Sequence, residues 1–436
     1  MKGITANKSG IQDVKSRLLF VLFAIFVFRL GSHIPIPGID YEKLAIVSAQ
    51  TQAGLFGFLN VISGGALARM SLFTLSLSPY ISASIAIQML TYLVPYLEQL
   101  KKEGGKGRHK ITQYTRLFAL ALALIQSVPM SKRMISMGVV IEPGSAFLLV
   151  SAITMATGTM FLLWLGEQVT ERGIGNGISV IIFAGICVRF PEALSHLYEL
   201  VVTGEMNVVV FLMILLAVAL LTAGVVFIEK GQRQIKITHP SRHQVRSSQT
   251  HVLPLKINMA GIVPAIFATT MVFVPFSVMD MLGFGQNINV QTLMRALHPG
   301  QPLYIIAMVA AIAFFSFFYT SLMINPNEIA ENLKKGGVLI PGLRPGVATA
   351  KYIDDVLKRI TLFGILYLSF VVLAPEVFVK MWKIPFSFGG TSLLIVVVVV
   401  MDFMSQLSAH LLPDRYANLV DKPNKAGNKQ KLQLFR

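Results

Sequence analysis

Only two ionisable side chains, Arg29 and Asp402, fall well inside the long apolar stretches of this chain. Carriers coupled to protons or ions keep carboxylates, histidines or paired charges within their spans, because such groups are costly in lipid and are retained for function. Almost none of that chemistry is present here. One cysteine, Cys187, excludes an internal disulfide and, with no Cys or His cluster beside it, offers no metal site. No Gly-x-x-x-x-Gly-Lys-Ser/Thr run cradles a phosphate, and no nucleophile is paired with a base. The amides Gln88, Gln126, Asn258 and Gln406 could line a polar pocket for a small solute, but they are dispersed along the chain. A large membrane body without reactive groups points to a passage that selects by shape and apolarity.

The elements that must carry this passage follow from composition. The 436 residues are 54% hydrophobic and 14% charged, where a soluble domain holds about 25% charged residues. A hydrocarbon core about 30 Å thick takes about 20 apolar residues per helix. Ten such runs are predicted, at 18–34, 71–95, 111–129, 145–166, 174–190, 207–228, 257–279, 303–324, 360–379 and 391–412. Helix is the expected form, because a lipid-exposed open strand cannot satisfy its backbone. The first run follows Lys15 and Arg17 like a signal peptide. It contains Arg29 and continues into Pro35-Ile36-Pro37-Gly38 without a cleavage pattern, so it reads as a retained span.

The net charge of +17 would suggest nucleic acid in a soluble protein. With the amino terminus in the cytoplasm, most of the 38 Lys and Arg residues fall on one side, which places both termini there. Two basic cytoplasmic loops, 229–256 and 325–359, are far longer than the roughly 2–8 residues of most helix connections. They carry Lys230, Arg233, Lys236, Arg242 and Arg246, then Lys334, Lys335, Arg344 and Lys351, with turns at Pro341-Gly342 and Pro345-Gly346. Such loops suit a large partner, and RNA phosphate is one candidate surface. The outer segment 35–70 is too short and too glycine-broken to span. It reads equally as a re-entrant element or an interfacial helix. Two halves of five spans would have opposite orientation, as in inverted repeats, although no residue-level repeat is visible.

Several long motifs resemble the SecY family, the central subunit of the bacterial protein-conducting channel. They are Phe28-Arg29-Leu30-Gly31 leading into Ile34-Pro35-Ile36-Pro37-Gly38, Ser63-Gly64-Gly65-Ala66-Leu67 and Pro79-Tyr80-Ile81-Ser82-Ala83-Ser84-Ile85. Trp164-Leu165-Gly166-Glu167 precedes Glu171-Arg172-Gly173-Ile174-Gly175-Asn176-Gly177-Ile178-Ser179. Later come Asn258-Met259-Ala260-Gly261, Ile340-Pro341-Gly342-Leu343-Arg344-Pro345-Gly346 and Gly389-Gly390-Thr391-Ser392-Leu393-Leu394-Ile395.

The resemblance implies an all-α polytopic membrane protein. Ten transmembrane helices form two inverted five-helix halves, 1–205 and 206–412, around a central hourglass pore, followed by a basic cytoplasmic tail, 413–436. It implies an apolar pore ring of Leu77, Ile81, Ile178, Ile182, Ile266 and Ile395, with Leu77 standing where the family often has Ile. Leu77/Ile81 and Ile178/Ile182 are i, i+4 pairs that share a helix face, and an apolar constriction blocks ions by excluding water. An isoleucine in a membrane helix more often simply packs or faces lipid.

A plug is implied at about 56–65: Phe56, Gly57, Phe58, Leu59, Asn60, Val61, Ile62, Ser63, Gly64 and Gly65. A lateral gate would be lined by Ser82, Gln126 and Asn258, which read equally as helix–helix glue. Arg242, Arg246, Lys334, Lys335, Arg344 and Lys351 would dock the SecA motor and the ribosome, including its rRNA. The loop 229–256 is shorter than the family's commonest pattern. The implied partners also include SecE and SecG, signal peptides, secretory precursor polypeptides and membrane lipids. The implied location is the bacterial inner membrane. No cofactor and no metal is expected, and energy would come from a partner ATPase or the ribosome. The competing reading is a secondary transporter of a small solute with inverted repeats.

Overall fold

The computed structural model describes residues 10–40, 42–44, 63–238, 251–281, 301–382 and 390–433. Each of the ten predicted runs falls on a helix. In chain order these are α1 (Gly10–Gly31), α2 (Ser78–Leu93), the short α3 (Pro95–Lys102), α4 (Gly105–Ser136), α5 (Ser145–Arg172), α6 (Gly177–Val202) and α7 (Val208–Lys230). A hairpin follows, β1 (Gln232–Ile237) and β2 (His251–Lys256). Then come α8 (Val263–Met281), α9 (Pro302–Met323), the short α10 (Pro326–Lys335), α11 (Val347–Trp382) and α12 (Gly390–Gln433). Among the described residues, seven helices are long and apolar enough to cross a membrane. There are eight if α2 and α3, bent by 98°, count as one span. The apolar helix Val263–Val272 is shorter, and α1 carries Asp13, Lys15, Arg17 and Arg29.

The backbone falls into two compact units. The first takes Met1–Gln50, Ile62–Arg189 and Val399–Arg436, and the second is built on Phe190–Val398.

In the first unit, helices pack through small residues. The buried face of α4 repeats every fourth residue as Thr115, Ala119, Ala123, Ser127 and Ser131. The buried face of α5 includes Ser151, Gly158, Thr159 and Gly166. In lipid there is no hydrophobic force between helices, so small faces that let backbones close up carry the association. The Ser131 and Ser151 hydroxyls meet at 2.6 Å inside this contact. On α1, Val21, Ala24 and Phe28 are buried, while Leu19, Leu22, Phe23 and Phe26 are exposed. Large apolar side chains turned outward fit a helix solvated by hydrocarbon.

The second unit adds a small platform. β1 and β2 pair antiparallel, with Ile235 opposite Leu253 and Pro254 opposite Gln234. Ile235 and Leu255 bury against Ile340, Ile353 and Leu357. Thr238 and Leu339 exchange two backbone hydrogen bonds, 2.8 and 2.9 Å. Asn325 caps α10 by accepting from the Asn327 N–H, with Pro326 in the first turn. The described parts of the two long basic loops therefore pack as one folded body.

Candidate functional site

The segment of the first unit that precedes α2 is irregular backbone that leads directly to a candidate ring residue. Residues 63–77 form successive turns, with positive φ at Gly64, Gly65, Met70 and Ser76. The two glycines adopt this conformation at little cost. Backbone bonds Ile36 N–H to Met70 O (3.0 Å) and Leu72 N–H to Ile34 O (2.8 Å) tie the segment to the chain after α1. Gly158 lies against the Leu72 carbonyl so closely that any Cβ would strike it. Leu77 then caps α2 and is fully buried, 0% exposed. Ile81, half-buried, donates its N–H to the Leu77 carbonyl one turn later.

α6 begins in a comparable way. Asn176 Oδ1 accepts from the Ile178 N–H at 3.1 Å, Thr170 Oγ1 accepts from the Gly177 N–H at 2.8 Å, and Gln406 Oε1 accepts from the Gly175 N–H at 2.8 Å. A Cβ on Gly177 would run into the Gly166 carbonyl. Ile178 is half-buried and Ile182 is 6% exposed. In the second unit Ile266 is half-buried in the first turn of α8, and Ile395 is 3% exposed on α12. The first four candidates thus belong to one unit and the last two to the other.

Of the plug candidates, Phe56, Gly57, Phe58, Leu59, Asn60, Val61 and Ile62 lie outside the described residues. Ser63, Gly64 and Gly65 are buried. Two arginines donate to the Gly64 carbonyl, Arg29 Nη1 at 3.2 Å and Arg69 Nη2 at 2.9 Å. Arg29 therefore hydrogen-bonds within the protein. Asp402 is exposed on α12. Gly64 also faces Gly185 of α6, backbone to backbone.

Of the gate candidates, Ser82 on α2 and Gln126 on α4 are half-buried. Asn258 is 4% exposed and belongs to the second unit. Its Nδ2 donates to Glu229 Oε1 at 2.7 Å and to the Gly261 carbonyl at 3.0 Å. The Tyr367 hydroxyl donates to the same Glu229 oxygen at 3.3 Å. Neither Glu229 nor Tyr367 stood out in the sequence. The only hint was that Glu229 is the last acid before a run of basic residues.

Arg242 and Arg246 lie outside the described residues. Lys334, Lys335, Arg344 and Lys351 are all exposed on the platform. Lys335 pairs with Glu331 at 2.9 Å. The Arg344 carbonyl accepts from Thr349 Oγ1 at 3.0 Å, between the positive-φ turns at Gly342 and Gly346.

Two helical units with helices long and apolar enough to cross a membrane, glycine-set turns and a basic platform define a polytopic membrane protein. The family model described as SecY matches residues 71–404. The protein translocase subunit SecY of Escherichia coli (strain K12) is 49% identical over 428 residues, covering 96% of this chain and 97% of that protein. The same subunit from Pseudomonas aeruginosa is 48% identical over 426 residues, covering 97% and 96%. The chain belongs to the SecY family. Its fold is that of a solved structure described as a protein conducting channel, with TM-score 0.66 at 17% identity and 95% of each chain covered. It is equally like Sec61 in the canine ribosome-channel complex, with TM-score 0.65 at 16% identity and 95% of each chain covered.

Proposed function

We propose that this chain is the pore subunit of a translocon in the bacterial inner membrane, with both termini cytoplasmic. It is a protein-conducting channel, passing unfolded polypeptide across the bilayer and releasing apolar segments into lipid. The observation that carries this reading is family membership over nearly the whole chain. The channel itself is passive, and a partner ATPase or the translating ribosome supplies the energy. Leu77, Ile81, Ile178, Ile182, Ile266 and Ile395 form the apolar ring that excludes water and ions at rest. Residues 56–65 form the plug, whose inner end is the Gly64 carbonyl held by Arg29 and Arg69. Ser82, Gln126 and Asn258 line the seam that opens for signal peptides. SecE and SecG brace the two halves, 1–205 and 206–412. The SecA motor and the ribosome, including its rRNA, dock on the platform through Lys334, Lys335, Arg344 and Lys351, with Arg242 and Arg246 nearby in the chain.

The rival reading, a carrier for a small solute, needs free amides at mid-membrane. Gln406 is instead committed to the Gly175 N–H, Asn258 to Glu229 and Gly261, and Gln88 to Ser84 at 3.1 Å. These local partners favour the channel.

The test is the complex reconstituted in vesicles. Ile81→Asn, Ile182→Asn and Ile266→Asn should each raise resting ion conductance and allow export of precursors with defective signals, because a polar side chain in the constriction retains water. Unchanged conductance and unchanged signal dependence in all three would remove the ring. Arg344→Glu should abolish motor-driven export while the purified membrane complex stays intact. Wild-type export by that variant would remove the docking assignment.

A further inference from the structure

Asn258 spends its whole donor capacity inside its own unit. A side-chain amide has two N–H donors, and here one acceptor is Glu229 Oε1 and the other the Gly261 carbonyl. Gly261, at φ +62, turns the chain into α8. The carbonyl of the next residue, Ile262, accepts from the Ala265 and Ile266 N–H groups and so opens the helix. The clamp therefore sits on the turn from which Ile266 is presented. A carboxylate suits this place because it only accepts. Two donors, the Asn258 amide and the Tyr367 hydroxyl, converge on one of its oxygens.

The same carboxylate stands at the foot of the platform. Glu229 is in the last turn of α7, immediately before the hairpin. The hairpin closes on itself there, the Ile257 N–H donating to the Gly231 carbonyl at 3.0 Å. One side chain thus joins the end of α7, the segment between β2 and α8, and the middle of α11 through Tyr367.

We propose that Glu229 is a positioning residue for α8: by holding the Asn258 amide, with the Tyr367 hydroxyl on the same oxygen, it sets the resting position of the helix carrying Ile266 and so the stringency with which the channel accepts a signal segment. This rests on the pore reading given above. The carboxylate acts through Asn258 and does not itself touch the substrate. Loss of the clamp frees the start of α8 without altering an apolar ring residue.

The experiment uses the full complex in vesicles and measures the ratio of export of a precursor with a defective signal to one with an intact signal. Glu229→Leu removes the oxygen that Asn258 and Tyr367 share and should raise that ratio about tenfold, the population shift expected when buried hydrogen bonding worth about 1.4 kcal/mol is lost. Glu229→Gln keeps an oxygen in reach of Asn258 and should restore most of the stringency, which a merely structural role would not distinguish. Tyr367→Phe deletes one hydroxyl and should shift the ratio the same way by less. Motor binding should be unchanged in all three. A ratio equal to wild type in Glu229→Leu, or an identical ratio in Glu229→Leu and Glu229→Gln, overturns the proposal. If Glu229→Leu does not assemble, Tyr367→Phe decides by the same ratio. Ile266→Asn separates the two levels. If it loosens stringency while the clamp variants do not, only the clamp fails. If it too leaves the ratio unchanged, Ile266 is not a ring residue and the link from the clamp to the pore fails with it.

Discussion

Leu77 of the first unit and Ile266 of the second follow turns that are held by different physical means. In the first, Leu77 follows a segment set by backbone-to-backbone approach, and the turn before Ile178 adds side-chain hydrogen bonds from Asn176, Thr170 and Gln406 to such an approach. Gly158 lies on the Leu72 carbonyl and Gly177 on the Gly166 carbonyl. In the second, the turn before Ile266 is set by side-chain hydrogen bonds among Asn258, Glu229 and Tyr367. Gly390, pressed on the Val371 carbonyl, shows that the second unit uses close approach at α12. A carbonyl against a Cα has no side chain that can yield, whereas a hydrogen bond can be exchanged for another. Within its own unit, the start of α8 is on this account held more adjustably than the starts of α2 and α6 are in theirs.

The largest effect should come from filling the close backbone approaches of the first unit. Gly158→Ala and Gly177→Ala each place a methyl group on a backbone oxygen and should cost about 3 kcal/mol or more, enough to prevent recovery of a folded complex. Gly224→Ala is the control. Nothing lies within 4 Å of its added carbon, and alanine at a helical site is better than glycine by about 0.5–1 kcal/mol. Recovery of monodisperse complex after heating in detergent measures all three. Normal recovery of the Gly158 and Gly177 variants would erase the distinction between the units.

A smaller effect tests whether the platform stands on its own core. Ile353 is fully buried among Ile235, Leu255, Ile340 and Leu357. Ile353→Val should cost about 1 kcal/mol and speed amide exchange of β1 and β2 about fivefold. Exchange in α2 and α4 should not change. A uniform rise in both units would mean that the platform is not a separate cooperative element.

The sequence was most legible where lipid imposes its own rule. All ten apolar runs became helices, because the bilayer leaves the backbone no other partner. Helix length was less legible. α4 runs from Gly105 and α11 from Val347, well before their apolar runs begin, because a helix in water need not be apolar. The run predicted from 71 becomes helix only at Ser78. Leu72, Phe73 and Leu75 read as membrane residues, and the turns at Met70 and Ser76 carry no glycine to mark them. The hairpin was read as loop. Its alternation of Ile235, Ile237, Leu253 and Leu255 sits among charges, and Pro254 argues against a strand except at an open side. Contacts such as Arg29 with Gly64, or Gln406 with Gly175, join residues far apart in the chain. Composition holds no record of them.

The smallest expected effect links one exposed short helix in each unit. Glu98 pairs with Lys102 at 2.6 Å on α3, and Glu331 with Lys335 at 2.9 Å on α10. The neighbouring ammonium hydrogen-bonds each carboxylate and holds it below its ordinary value of 4.5. A carboxyl lowered in the folded state contributes stability above its unfolded pKa and loses it as pH falls through the folded one. Both helices should therefore fray below about pH 4.5 and show no change between pH 6 and 8. Exposed pairs of this spacing are weak and screened by salt, so raising ionic strength at pH 7 should act in the same direction as acid. Amide exchange at the two helices, read against α5 as a buried reference, measures the difference. If α10 alone frayed, its packing on the platform would be governed by this ion pair, and the platform would owe less to Ile353 and its apolar neighbours than the buried side chains imply.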